Sequence, residues 1–180
     1  MTSAVDSSFD VAIWLVARAR AERTDVSPLR LQRLLFLAQA YFAGPTHGGR
    51  LMPPFFIASR AGPIEPNIAR IRNLESAMIE VSELSKAVSD FLEGIWQAFG
   101  ALSNDRLDQT VLSGAPVKAA MRLDPPGEIT IDAMAEFYGG GGTRPQTVTA
   151  SGAPKQATIP RFHRGRPVSK WVPGQRRAST

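Results

Sequence analysis

Histidine, cysteine and clustered carboxylates are the usual raw material of a catalytic or metal site, and this chain is poor in all three. Its 180 residues include no cysteine and two histidines, so a disulfide, a thiolate nucleophile or a cysteine-ligated metal is not available to it. His47 falls in a glycine-rich stretch and His163 in a basic C-terminal segment. A structural or solvated role is the expectation for each. A zinc site would have to be mainly carboxylate, which is an uncommon donor set. Glu80 with Glu83, and Asp105 with Asp108, are i,i+3 pairs on predicted helix faces that could touch magnesium. Exposed acid pairs at this spacing ordinarily face solvent or serve as caps. The glycines 139–142 run into Thr143-Arg144-Pro145 and follow a helix, so they do not make a phosphate loop. No serine sits in a G-x-S-x-G elbow. The expectation is therefore a chain without enzymatic activity, cofactor or metal.

The elements that would position any site are predominantly helical. A first helix is predicted over about Ser8–Ala21, capped by Ser8, with Phe9, Ile13, Val16 and Ala17 as its apolar stripe. Ser27-Pro28 is a stronger start, a capping hydroxyl followed by proline at the first helical position. From there Leu31, Leu34, Leu35, Ala38 and Phe42 share one face, and Gly44-Pro45 stops the helix, the glycine as a C′ residue and the proline just beyond it. Phe55–Ala58 reads as a short extended run, and the prolines at 53 and 54 favour an edge or irregular position for it. Ala61–Pro66 reads as a rigid turn. Further helices are predicted over Asn67–Met78 (with Ile68, Ile71 and Leu74), from Ser85 to Gly100, from Ser103 to Val111, and from Thr130 to Tyr138. A brief turn is expected over Pro116–Met121.

The net charge of +5 hides a division. Residues 1–140 carry thirteen Lys/Arg against sixteen Asp/Glu, and residues 141–180 carry eight Lys/Arg and no acid. With five prolines and few large apolar groups, the segment after the four glycines is disordered by composition. The expected organisation is a mainly α-helical single domain over residues 8–138 with a short extended segment, then a Gly/Pro-rich, basic, disordered tail over 139–180. The longest apolar stretch near the N-terminus, Val11–Ala17, is far short of the ~20 residues a membrane span needs. A cytoplasmic protein with no membrane contact is expected.

The run Leu29–Tyr41 (Leu-Arg-Leu-Gln-Arg-Leu-Leu-Phe-Leu-Ala-Gln-Ala-Tyr) resembles the signature helix of the Panacea domain family, the SocA-like antitoxins. That helix typically carries a Leu-Gln-Lys-Leu-Leu-Tyr-type run, then an alanine and an aromatic. Downstream, Gly62-Pro63-Ile64-Glu65-Pro66 is similar to the family's Gly-Pro-Val/Ile-x-Pro turn. Phe99 with Ser103 and Leu107, and the helix Ile131–Tyr138, resemble two further family elements. The chain departs from the family pattern at Ile57-Ala58-Ser59, where a Glu-Ala-Trp run is common. It departs again at Val117 after Pro116, where a tryptophan is usual.

The resemblance implies a bacterial antitoxin that binds a cognate, SocB-like toxin by direct contact, as a proteolytic adaptor delivering it to the ClpXP protease. On this reading toxin contact falls to Gln32, Arg33, Gln39, Arg60, Gly62, Pro63 and Glu65. Gln32, Arg33 and Gln39 flank the second helix, where they could meet either a partner or a buried backbone. Protease or partner contact in the tail falls to Arg161, Phe162, Lys170 and Trp171. A DNA-binding autoregulator is the other class, with Ser27-Pro28 opening a recognition helix that carries Arg30 and Arg33. The tail would supply weak, salt-dependent attraction to nucleic acid.

Overall fold

The computed structural model describes residues 3–53, 55–71 and 81–139, and the backbone of 146–148 and 154–156. Among these residues there are seven helices and a small three-stranded open sheet. No helix among them is long and apolar enough to cross a membrane.

Helix α1 spans Ser8–Ala21. Its cap is Ser7, one residue earlier than expected: the Ser7 hydroxyl accepts from the Phe9 N–H, and the Asp10 carboxylate accepts from the Ser7 N–H. The buried face is also rotated from the expected stripe. Val11, Ala12, Leu15 and Ala19 face the core, whereas Ala17 is exposed. The helix is apolar on two sides, so periodicity leaves its direction open. Asp10 helps to fix it, because this buried carboxylate also accepts from the Ser82 N–H at 2.9 Å.

Helix α2 spans Pro28–Ala43 and is the centre of the molecule. Ser27 caps it by accepting from the Arg30 N–H. Every residue from Arg30 to Tyr41 is buried, because α2 packs against α1, β2 and four later helices. Gly44 closes it as the C-cap, one position earlier in the cap than the expected C′, with φ −56° in the right-handed region. The glycine is needed for room. A Cβ there would lie 2.8 Å from the Tyr138 carbonyl carbon and 2.9 Å from the Gly139 nitrogen.

Strand β1 is Phe56–Ser59 and β2 is Gly62–Ile64. They form a hairpin in which Ser59 opposes Gly62 across Arg60-Ala61. Strand β3, Glu128–Ile129, pairs on the other side, with Phe56 opposite Ile129. Thus β1 is the central strand and not an edge: its four residues contain no proline, and Pro53 precedes the ladder. The segment read as a turn is in part strand β2. Helix α3 is only Pro66–Ala69, so the helix expected to run to Met78 ends before Ile71; Leu74 and Met78 lie outside the described residues.

Helix α4 (Lys86–Phe99) and helix α5 (Asn104–Leu112) start at the serine caps expected for them, Ser85 and Ser103. The expected turn at Pro116 is a helix, α6 (Ala115–Met121). Helix α7 (Ile131–Gly139) begins after Thr130, whose hydroxyl accepts from the Ala133 N–H. Beyond it, β4 (Gln146–Val148) and β5 (Pro154–Gln156) pair antiparallel within the tail, where composition predicts no regular structure. The rest of the tail lies outside the described residues.

Helices α2 and α7 meet through aromatic rings. Tyr41 and Tyr138 have ring centroids 5.0 Å apart, with Phe99 against the first and Phe36 against the second. Burial pushes both phenols upward, Tyr138 to about 12 and Tyr41 further. They are the only two tyrosines in the chain. An unfolded chain releases these protons near pH ~10 and the folded one retains them. Folding therefore binds protons in this window, and stability is lost as pH rises from about 10 through 12. Phenolate absorbance is expected to stay flat through pH ~10 and then to rise together with loss of helical circular dichroism. A phenolate signal at that pH with the helical signal intact would contradict the packing.

Candidate partner-binding site

The polar residues of α2 stitch the chain's irregular segments to its central helix. Gln32 and Gln39 are seven positions apart, two helical turns, and so lie on one face. The Gln32 amide is bonded at both ends to one residue of the hairpin arm. Its Oε1 accepts from the Glu65 N–H at 2.7 Å and its Nε2 donates to the Glu65 carbonyl at 3.3 Å. Gln39 does the same for the segment after α2, accepting from the Met52 N–H at 3.1 Å and donating to the Gly49 carbonyl at 3.5 Å. Buried backbone groups need partners, and these two amides supply them to the Glu65 and Met52 N–H groups, while the Glu65 carbonyl is shared with the Ala69 N–H of α3.

Arg33 holds the hairpin from beneath. Its Nε donates to Asp108 Oδ1 of α5 at 2.7 Å, and its Nη2 donates to the Ala61 carbonyl at the turn. Its side chain is 2% exposed while that of Asp108 is 38% exposed. The guanidinium lies against Gly62, where φ is +101° and a Cβ would stand 2.7 Å from Nη1. Glu65 is fully buried and caps α3, its carboxylate accepting from the N–H groups of Asn67 and Ile68 at 3.1 and 2.6 Å.

The segments Leu29–Tyr41 and Gly62–Pro66 therefore close on each other, Gln32 and Arg33 from one and Ala61–Glu65 around the other. Of the seven residues expected to contact a toxin, Gln32, Arg33, Gln39, Gly62, Pro63 and Glu65 are buried; Arg60, on the hairpin tip, is exposed. Gln32 and Gln39 bond buried backbone, and Arg33 bonds Asp108 and the Ala61 carbonyl. Arg161, Phe162, Lys170 and Trp171 lie outside the described residues.

Arg33 is 2% exposed and Arg30 8% exposed within the wall of a cleft, so α2 offers no exposed basic face to lie in a DNA groove, contrary to the recognition helix expected of it. Asp108 is engaged by Arg33 while Asp105 is exposed. Glu83 lies in a non-helical stretch before Ser85, contrary to the helix face predicted for it, and Glu80 is outside the described residues. His47 is exposed in the loop after α2, with φ +53°. Among the described residues, no three His, Cys, Asp or Glu side chains converge as a metal site would require.

Two features had no sequence signal. One is the bridge from α1 to α4, in which Arg18 meets Glu93 through Nε and Nη2 at 2.7 and 2.9 Å. The hydrogen bond and charge of Arg18 hold the Glu93 carboxyl below its ordinary value, and Glu22 takes both Arg18 and the Trp96 indole N–H. The other is a cleft of about 620 Å³ between the α1–α2 connection and the α4–α5 turn, with Arg30 in its wall. In the sequence Arg30 reads only as a phosphate contact. What its burial means depends on Gly100 and Asn104, about seventy positions away in sequence.

Compared with known protein families, with curated proteins and with solved structures, the chain has no match.

Proposed function

We infer that this chain is a non-catalytic, cytoplasmic protein-binding domain of the antitoxin type, which neutralises a cognate toxin by direct contact. The observation that supports this most is the mutual clamp of Leu29–Tyr41 on Gly62–Pro66. Buried polar side chains of α2 are used to hold a short hairpin in one geometry, with Arg60 at its exposed tip. A rigid loop on a helical scaffold is a form suited to recognition, because little ordering entropy is lost on binding. Delivery of the bound toxin to a ClpXP-type protease is the further step that the resemblance suggests. It needs a second contact surface and no catalytic group, since tethering alone raises local concentration. The basic tail, with Arg161, Phe162, Lys170 and Trp171, is the proposed second surface.

The test is co-purification from the native cell using the full chain, residues 1–140, and the full chain with Arg60→Glu. One small neighbour-encoded protein should be recovered with the first two. Recovery should fall at least about tenfold with Arg60→Glu, whose exposed position leaves thermal stability unchanged. Protease should appear only with the full chain. Equal recovery with Arg60→Glu would remove the hairpin from the interface. Tight binding of duplex DNA at physiological salt, with no specific protein recovered by any form, would overturn the reading altogether.

A further inference from the structure

Among the described residues, the Arg30 guanidinium is a buried cation with no carboxylate bonded to it. It is 8% exposed, its Nη2 donates to the Gly100 carbonyl at 2.6 Å, its Nη1 donates to Asn104 Oδ1 at 2.9 Å, and its Nε is buried without a partner. All of its hydrogen bonds run to neutral acceptors. That is an expensive way to bury a charge, and burial pushes its pKa below the ordinary arginine value. Arg33, one turn further along the same helix, has the carboxylate that Arg30 lacks.

The side chain, Gly100 and Asn104 all belong to the wall of the 620 Å³ cleft. Two helices begin at that cleft, the sixteen-residue α2 after Ser27 and the nine-residue α5 after Ser103. Helix starts carry partial positive charge. Two acids also line the cleft. Glu22 is already engaged by Arg18 and the Trp96 indole; Asp25 stands exposed on the rim.

We propose that this cleft is a carboxylate-binding subsite, which takes an acidic side chain of a partner polypeptide onto Arg30 between the starts of α2 and α5. The subsite rests on the protein-binding reading for the identity of its occupant and on Arg30 for its chemistry. A carboxylate would give the guanidinium its missing counter-charge, and charge-assisted hydrogen bonds of this kind are the stronger class. Asp25 at the rim disfavours a bare polyanion and favours an acidic residue flanked by donors, as a polypeptide provides. That separates a peptide carboxylate from inorganic phosphate.

The experiment titrates the full-length, isotope-labelled chain and follows the arginine Nε–Hε resonances. The probes are an end-capped Gly-Glu-Gly peptide, its Gly-Gln-Gly counterpart, and inorganic phosphate, all at matched ionic strength. The Arg30 resonance should shift saturably with the glutamate peptide and not with the glutamine peptide. Arg30→Gln should weaken the glutamate peptide at least about tenfold. Asp25→Asn, at an exposed position that does not threaten folding, should tighten it by about two- to fivefold. An equal response to the glutamine peptide, no saturation, or no change with Asp25→Asn would overturn the subsite. Saturation by phosphate in preference to the glutamate peptide would overturn the polypeptide carboxylate as its occupant. Glutamate-peptide binding with no partner recovered from cells supports the subsite while defeating the protein-binding reading. Partner recovery unaffected by Arg30→Gln does the reverse.

Discussion

Replacing Asp108 by alanine is expected to destabilise the protein by about 2–3 kcal/mol, a core-sized effect from a half-exposed surface residue. The reason is the partner that the substitution strands. Arg33 is 2% exposed and ion-pairs with Asp108. Without it the guanidinium keeps the Ala61 carbonyl and little else, and water reaches it only from the open side that Asp108 occupied. Breaking a buried pair typically costs ~3–5 kcal/mol, and the open side of Asp108 reduces that figure. Removing both partners should be milder. Arg33→Met with Asp108→Ala fills the space with an apolar chain and buries no charge, so the double variant is expected to recover most of the loss. Denaturant unfolding of the four members of this cycle measures the coupling. Equal destabilisation by Asp108→Ala in the presence and absence of Arg33 would show that the pair is not the cause.

Gly62→Ala is expected to cost about 3 kcal/mol, from two separable terms. The first is backbone strain, since φ is +101° and a Cβ disfavours that conformation by ~1–2 kcal/mol. The second is collision, with Arg33 Nη1 at 2.7 Å and Leu112 Cδ2 at 2.8 Å from the new methyl. Arg33 cannot swing aside without giving up Asp108 and the Ala61 carbonyl. Gly48→Ala is the internal control. Its φ is +90°, yet its nearest new contact is Asp132 Oδ1 at 3.7 Å, so it carries strain without collision. The excess of the first substitution over the second measures the packing of Arg33 beneath the hairpin. Similar losses at the two glycines would mean that the hairpin is free to lift from α2. Because the exposed Arg60 sits at the hairpin tip, such freedom would also weaken the proposed recognition loop.

How far the sequence is legible varies with the range of the interaction. The serine caps at 27, 85 and 103 are local chemistry, a hydroxyl accepting from an N–H three residues on, and each marks its helix start correctly. The broad apolar face of α2 announces a helix buried on several sides, and it is. The rotation of α1 is not legible, because two apolar faces compete and the part-buried bond from Ser82 to Asp10 crosses 72 positions. Strand β3 is two residues long, below any periodicity, and exists through pairing with β1. Helix α3 stops at Ala69 despite an apolar pattern that continues to Ile71.

The candidate site divides in the same way. Gln32, Arg33 and Gln39 are conspicuous in the sequence as polar residues within an apolar helix, and the Gly62–Pro66 motif is conspicuous on its own. Their joining required the fold, because the bonds from Gln32 to Glu65 and from Arg33 to Asp108 span 33 and 75 positions. By itself the sequence determined a mainly helical protein with a charge-divided chain, no cysteine and two histidines. Local propensity, capping and composition are carried by neighbouring residues. Only the tertiary structure decided that Arg33 lies buried beneath a hairpin, and that Arg30 lines a cleft while bonding the Gly100 carbonyl and the Asn104 amide oxygen. Whether a charged side chain meets water, a counter-ion or a carbonyl depends on which distant elements pack over it.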